Sequence, residues 1–371
     1  MSSDNAQIGD EVTPVFGLTK GELWPIVEEA AGEEIASFEI DANNSQAVVR
    51  GAGKQVQAPT FAYVTKDGRP GQVTVFVKRS PHGPDGPSEK TQYHFLQAHQ
   101  APIPRLYGVV VDSEGKDILF IEHVDKSQEA LSHRSMERRR EFFGLMARFH
   151  AITPSPEYRA WLEQASWALP QELLKIEGLI ERTWKCARKG ELGRSMKEFC
   201  SSRDSGMRQL QSLAKHVTDR CLSMPQGLIH TDILSTENVG RRHSGELVVL
   251  DVEWVRLGPR CYDAGKWLGR PAQRWPAGIA QAQLTQHFLD EYARWGGTSP
   301  SLDEFLDDLR VMGLAENLRD LNWYWDNGFR MVDPADEERR SNLYDSMYGS
   351  LTMLLAQYRM RGTRCSALER W

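Results

Sequence analysis

Residues 227–240 read GLIHTDILSTENVG, and residues 248–251 read VVLD. A short apolar run leads into a loop carrying a His, two acids and an Asn, and a second apolar run ends on another Asp. Polar groups of this kind cost free energy when they are withdrawn from water without partners, so their clustering between apolar residues calls for a chemical reason. Phosphoryl transfer from a nucleotide supplies one. It needs a divalent cation held by hard oxygen ligands and a group that aims the attacking hydroxyl. Asp232, Asn238 and Asp251 have the right types. An alcohol is far less acidic than a carboxylic acid, so Asp232 would orient the hydroxyl and collect its proton late, while positioning and charge neutralisation carry most of the catalysis.

Upstream of this loop the pattern changes twice. TKGELWPIVEEAAGEE has helical apolar spacing at Leu23, Ile26 and Val27. From about residue 35 to 123, SQAVV, TFAYVT, VTVFVK, YGVVVD and ILFIEHV read as strands, with turn signals at KDGRPG (66–71) and SEGK (113–116) and one helix around 88–99. Beyond residue 131 the chain reads as mostly helical. Phe142, Leu145, Met146 and Phe149 recur at i, i+3, i+4 and i+7, and Leu173, Ile176, Ile180 and Trp184 share a face in 170–190. Arg138, Arg139 and Arg140 read as the solvated side of the first of these helices, and His150 reads as a core residue. STENVG and ELVVLD are spaced to form a hairpin through RRHSGE. The fold class is α+β and bilobal, with a small antiparallel-sheet N-lobe (1–123) and a larger helical C-lobe (124–371), and a ligand cleft at their join.

Bulk properties exclude several classes of function. The chain has 371 residues, 40% hydrophobic and 26% charged, with a net charge of −6. That charge argues against nucleic acid held by phosphate neutralisation and tolerates a cationic small molecule. The first residues lack the charged and apolar regions of a signal peptide, and no run of 18 apolar residues occurs, so the chain reads as cytoplasmic and without a membrane partner. Five cysteines, with no CxxC, support neither a disulfide framework nor a zinc site. Oligomeric state is not legible.

HTDILSTEN resembles the catalytic loop H-x-D-x-x-x-x-N of the aminoglycoside phosphotransferase and choline kinase group, relatives of the protein kinases. LVVLDVEW is similar to that group's metal strand, and GPRCYDAGKWL resembles its G-x-P-x-x-D-L-A segment. The resemblance implies Asp232 as the base or orienter, Asn238 and Asp251 as Mg2+ ligands, His230 as structural support and Asp263 as the buried acid bracing the loop. Six positions separate Asp232 from Asn238 where the family has five, which puts Glu237 in the expected register. Asn238 is preferred because its spacing to Asp251, with Gly245 between, fits the family's hairpin.

The same resemblance implies a strand Lys, met by Lys78 at the end of VTVFVKRS, and a helix Glu, met by Glu89 in SEKTQYHFL. APIPRLYGVVVD is similar to the family's V-P-x-P-x-x-x-G-x stretch. ILFIEHVD would then be the hinge, with backbone groups of Glu122, His123 and Val124 facing adenine. Gly51 and Gly53 in RGAGK are the candidate phosphate cradle, with an exposed hairpin turn as the alternative.

ATP, or GTP, and Mg2+ are the implied cofactors, and the implied acceptor is a small-molecule hydroxyl on an antibiotic, amino alcohol or sugar. In AENLRDLNWYWDNGF, Glu316, Asp320 and Trp323 share a helical face and suit a cationic acceptor, with Arg319 among them as a counterweight. Two other readings compete. A catalytically silent nucleotide-binding or scaffold protein would keep the fold, and a metal hydrolase would use His230, Asp232 and Asp251.

Overall fold

The computed structural model describes residues 11–41, 48–50, 54–80, 88–126, 135–164, 212, 215–233, 238–268 and 279–323. The chain divides into two compact units: Met1–Ser132 with Ser235–Val255, and His133–Leu234 with Arg256–Trp371. The first is built on an antiparallel sheet and the second, larger one mainly on helices, which is the expected α+β arrangement.

In the first unit, helix α1 (Lys20–Ala31) starts at Thr19, whose hydroxyl accepts the Glu22 N–H while the Glu22 carboxylate accepts the Thr19 N–H. Each end of this box satisfies an N–H that the helix itself leaves open. Gly32 closes the helix at φ 72°, a left-handed position that glycine takes without steric cost. Leu23, Ile26 and Val27 form its buried face.

The strands are β1 (Ile35–Asp41), β2 (Val48–Arg50), β3 (Lys54–Gln57), β4 (Thr60–Thr65), β5 (Pro70–Arg79), β6 (Leu106–Val111) and β7 (Asp117–Glu122). The ten-residue β5 organises the sheet. Its first half pairs with β4, and its second half lies between β3 and β7, every pairing antiparallel. Side chains alternate across a strand, so Val75 and Val77 enter the core with Phe38, Phe61, Ile118 and Phe120, while Phe76 and Lys78 face the other way.

Two of these strands were not anticipated. β1 carries a register irregularity between Ile35 and Ser37, which breaks its alternation, and β3 is four residues of KQVQ with only one aliphatic side chain. Helix α2 (Glu89–Ala98) is capped by Ser88 and buries Glu89, Gln92, Tyr93 and Leu96. That is the i, i+3, i+4, i+7 face of an amphipathic helix, here with two polar members.

The segment 235–255 groups with this unit. Strand β10 (Val239–Arg241) pairs with β11 (Leu247–Val249) and, on its other edge, with β8 (Asp125–Lys126). The Val249 N–H donates to the Pro102 carbonyl at 2.8 Å, and Arg242 donates to the Ile103 carbonyl and the Glu122 carboxylate, each at 2.9 Å. Gly245 turns the hairpin at φ 89°. Gly240 is required by space: a Cβ there would stand 2.6 Å from Val124 Cγ2 and 3.2 Å from Leu250 Cδ2. Gly240→Ala should cost about 1–3 kcal/mol through overpacking, read as a lower midpoint in urea with unchanged slope.

In the second unit, α3 (Met136–His150) buries Phe142, Phe143, Leu145, Met146, Phe149 and His150. Arg140 is exposed, but Arg138 and Arg139 are only half-exposed, because a wide apolar face leaves a narrow solvated one. Helix α4 (Pro156–Gln164) follows, and a helical stretch covers 215–223. Strand β9 (Gln226–Ile229) pairs antiparallel with β12 (Arg256–Pro259). Helices α5 (Tyr262–Leu268), α6 (Ile279–Arg294) and α7 (Leu302–Trp323) complete it. Phe288 of α6 stacks on Phe305 of α7 with ring centres 5.3 Å apart. The helix expected over 170–190 lies outside the described residues.

Candidate active site

The strand pattern that sends Val75 and Val77 inward turns Lys78 to the opposite face of β5, where it is only 5% exposed. An ammonium withdrawn from water must be paired. Lys78 Nζ lies 2.7 Å from Glu89 Oε2, 2.7 Å from Asp251 Oδ1 and 3.3 Å from Glu253 Oε2. Burial alone would lower its pKa, but the three carboxylates outweigh burial and hold it well above the ordinary lysine value. Glu89, 6% exposed on the first turn of α2, is shifted upward mainly by burial, against the pull of Lys78. The oxygens of Glu89, Asp251 and Glu253 lie within 4.8 Å of one another. Three carboxylates around one ammonium leave net negative charge, the electrostatic setting in which a hard cation is favoured.

Asp251 reaches this position from a left-handed backbone, φ 56° and ψ 60°, immediately before a 3-10 turn at Val252–Trp254. A non-glycine residue held there is strained, and such strain persists where the surroundings over-determine it. That turn also brings Glu253 back toward Lys78. The pattern in LDVEW gave no sign of it, since residues i and i+2 of an extended strand share a face but stand roughly 7 Å apart, and the turn brings the two carboxylates closer.

Lys78, Glu89 and Asp251 stand at the wall of a cavity of about 460 Å³ lined also by Val56, Phe76, Tyr93, Ile121, Leu250 and Asn238. His123 and Val124 line it between β7 and β8, outside both strands' pairing. Glu122 lines it too, but its carboxylate is engaged by Arg242 and by the Arg105 N–H, and its own N–H donates to the Arg105 carbonyl. Its side chain is therefore spent on holding the β7 end to the hairpin. Gly51, Gly53 and Glu237 lie outside the described residues. Glu316, Asp320 and Trp323 fall on α7, described at those positions by its backbone alone.

A second cluster is built within the other unit. The Asp263 carboxylate, fully buried in the first turn of α5, accepts the His230 N–H at 2.7 Å and the Thr231 N–H at 2.9 Å. Thr231 is left-handed at φ 68°. The buried His230 ring meets Phe149 edge-on, and its Nδ1 accepts the Asp232 N–H at 3.3 Å. The Trp267 indole donates to the Ile233 carbonyl at 3.3 Å. Asp232 itself is exposed. The loop after β9 is thus held by three hydrogen bonds to α5 side chains, with the Asp232 side chain exposed.

The family model described as the phosphotransferase enzyme family matches residues 48–304, more than half of the chain. This chain belongs to the phosphotransferase enzyme family. Among solved structures, the phosphotransferase is similar to an aminoglycoside phosphotransferase from Alicyclobacillus acidocaldarius, at 14% identity over 91% of this chain and 96% of that one, TM-score 0.52. It is also similar to an ethanolamine kinase from Plasmodium vivax, at 12% identity over 86% of this chain and 84% of that one, TM-score 0.50. Both likenesses are in fold. A comparison with curated proteins finds no significant match. Among the described residues, no helix of the phosphotransferase is long and apolar enough to cross a membrane.

The Lys78 cluster makes a pH-dependent prediction for the phosphotransferase. Lys78→Met removes the ammonium that three neighbouring carboxylates share, and breaking a buried pair costs about 3–5 kcal/mol. A lysine whose folded pKa is raised contributes fully below its unfolded value, 10.5, and loses that contribution as pH climbs through the higher folded value. The difference should therefore be flat through neutral pH and shrink only above that range, as followed by urea midpoints across pH.

Proposed function

We propose that this phosphotransferase moves the γ-phosphoryl group of ATP, or of GTP, to a hydroxyl of a small molecule. The observation that carries the reading is Lys78, buried between Glu89 and Asp251 at the wall of a cavity roomy enough for a nucleotide. In this reading Lys78 steadies the α and β phosphates and Glu89 fixes its rotamer. Backbone groups of His123 and Val124 meet the base, and Gly51 and Gly53 cover the phosphates.

The donor set fits Mg2+: Asp251 and Asn238 offer hard oxygens, and Glu253 adds a third beside them. When bound there, Mg2+ would neutralise charge on the β and γ oxygens. Asp232 aims the acceptor hydroxyl and takes its proton late, as the oxygen–phosphorus bond forms and the nucleoside diphosphate leaves. His230 and Asp263 support that loop. The acceptor is an antibiotic, amino alcohol or sugar, and Glu316, Asp320 and Trp323 are its proposed contacts, suited to a cationic group. The domains follow as a nucleotide-binding N-lobe over residues 1–123 and an acceptor-binding C-lobe over 124–371.

A screen of hydroxyl-bearing metabolites and antibiotics with Mg-ATP, read by mass shift of +80 on the acceptor and release of ADP, tests this directly (the +80 being roughly the mass of a phosphoryl group replacing hydrogen). The expected result is a phosphorylated product from at least one acceptor class. ATP consumption without any acceptor dependence, or no nucleotide binding at all, would count against it.

A further inference from the structure

The short turn that carries the strained Asp251 is fastened at both ends. At its start the Leu250 N–H donates to the Asn238 carbonyl at 2.9 Å, which ties it to the hairpin. At its end stands Val255, fully buried, whose carbonyl accepts the side-chain amide of Gln92 at 2.9 Å. Gln92 is 1% exposed and lies on the buried face of α2, three positions after Glu89. Burying an amide is costly unless it is hydrogen-bonded. A methionine would fill the same place with no polar group to satisfy, yet the chain aims a donor at a carbonyl 163 positions along the sequence.

We infer that Gln92 is a positioning residue for the acidic turn after β11, holding Asp251 and Glu253 against Lys78 from the same helix that supplies Glu89. Glu89 meets the Lys78 ammonium at 2.7 Å, and Gln92 meets the backbone that carries the other two carboxylates. Inside the turn the Val255 N–H donates to the Val252 carbonyl at 3.1 Å, so a shift of Val255 is passed to Val252 and on to Asp251. The strain of a left-handed non-glycine residue and the worth of one buried hydrogen bond are of the same order. Released at Val255, the turn relaxes toward extended backbone, and the carboxylate oxygens now gathered within 4.8 Å separate. Every group named lies in the first compact unit.

Two variants separate a donor from a filler. Gln92→Met keeps the length and apolar bulk of the side chain and removes the amide. Gln92→His places a ring N–H close to the position of the glutamine Nε2. If Gln92 only fills space, both behave alike. If it holds Val255, the first releases the turn and the second keeps it.

Hydrogen exchange of the Val255 amide reads this without nucleotide or metal. In Gln92→Met that amide should exchange about tenfold faster, as for loss of one buried hydrogen bond, while the β5 amides stay as in the parent. In Gln92→His it should exchange at the parental rate. Equal exchange in the two variants, whether fast or slow, overturns the inference. Should Gln92→Met fail to fold, NMR of the parent decides instead. Slow exchange of the Gln92 side-chain amide supports the bond to Val255, and free exchange overturns it.

The consequence for binding rests on the Mg2+ site proposed above. Calorimetric titration of ATP at stepped Mg2+ should show Gln92→Met needing about five- to tenfold more Mg2+ than the parent to tighten ATP binding. ATP affinity in chelator should be unchanged, and Gln92→His should restore the parental Mg2+ requirement. An equal loss with Mg2+ and with chelator would overturn the inference, since a general loosening of the fold acts on both. Absence of Mg2+-dependent binding in the parent would count against the proposed metal site, and the exchange of the Val255 amide would still decide the role of Gln92.

Discussion

Asp232→Asn is expected to abolish phosphoryl transfer nearly completely while leaving nucleotide binding intact. General acid–base and orienting residues contribute about 10²–10⁴-fold to rate, and kcat for the acceptor should fall by that amount. Asparagine preserves size and one carbonyl oxygen but cannot accept a proton. The side chain is exposed, and the Asp263 bonds to the His230 and Thr231 N–H groups do not involve it, so the melting temperature should barely change. Titration of ATP with Mg2+ present should give the parental affinity. A variant that transfers phosphate at the parental rate would remove Asp232 from the proposed role, whatever its binding behaviour.

Asp251→Asn should fail differently. Asp251 contacts Lys78 at 2.7 Å and shares the 4.8 Å cluster with Glu89 and Glu253. Replacing its carboxylate removes one negative charge from the three gathered around Lys78. Binding of ATP should weaken in Mg2+ and lose most of its dependence on the ion, and transfer should fall with it. The two variants thus separate a loss of chemistry from a loss of metal-dependent binding. The readout is the ratio of ATP dissociation constants measured with Mg2+ and with chelator, which should be large for the parent and close to one for Asp251→Asn.

Much of this architecture was legible because particular residues obey short-range rules. The alternation in VTVFVK turns Lys78 away from Val75 and Val77, and helical spacing from Ser88 puts Glu89 on the buried face of α2. The hairpin between Asn238 and Asp251 follows from Gly245 and its flanking apolar runs. What stayed hidden depends on contacts between distant segments or on unusual backbone. Glu253 reaches Lys78 only through the left-handed Asp251 and the turn after it. The 235–255 segment joins the first unit through β8, Pro102 and Arg242, none of which leaves a local pattern. His150 lies on an apolar helix face, and periodicity cannot distinguish a packed imidazole from one facing a buried carboxylate 113 positions along the chain.

The cavity at Lys78 is the point on which the account turns, and equilibrium binding of ATP by calorimetry, with Mg2+ and then with EDTA, tests it most directly in the parent and in Lys78→Met. Saturable binding that requires Mg2+ and is lost in the folded Lys78→Met protein is the predicted result. Binding of equal strength in all four conditions, or none in the parent, would contradict it.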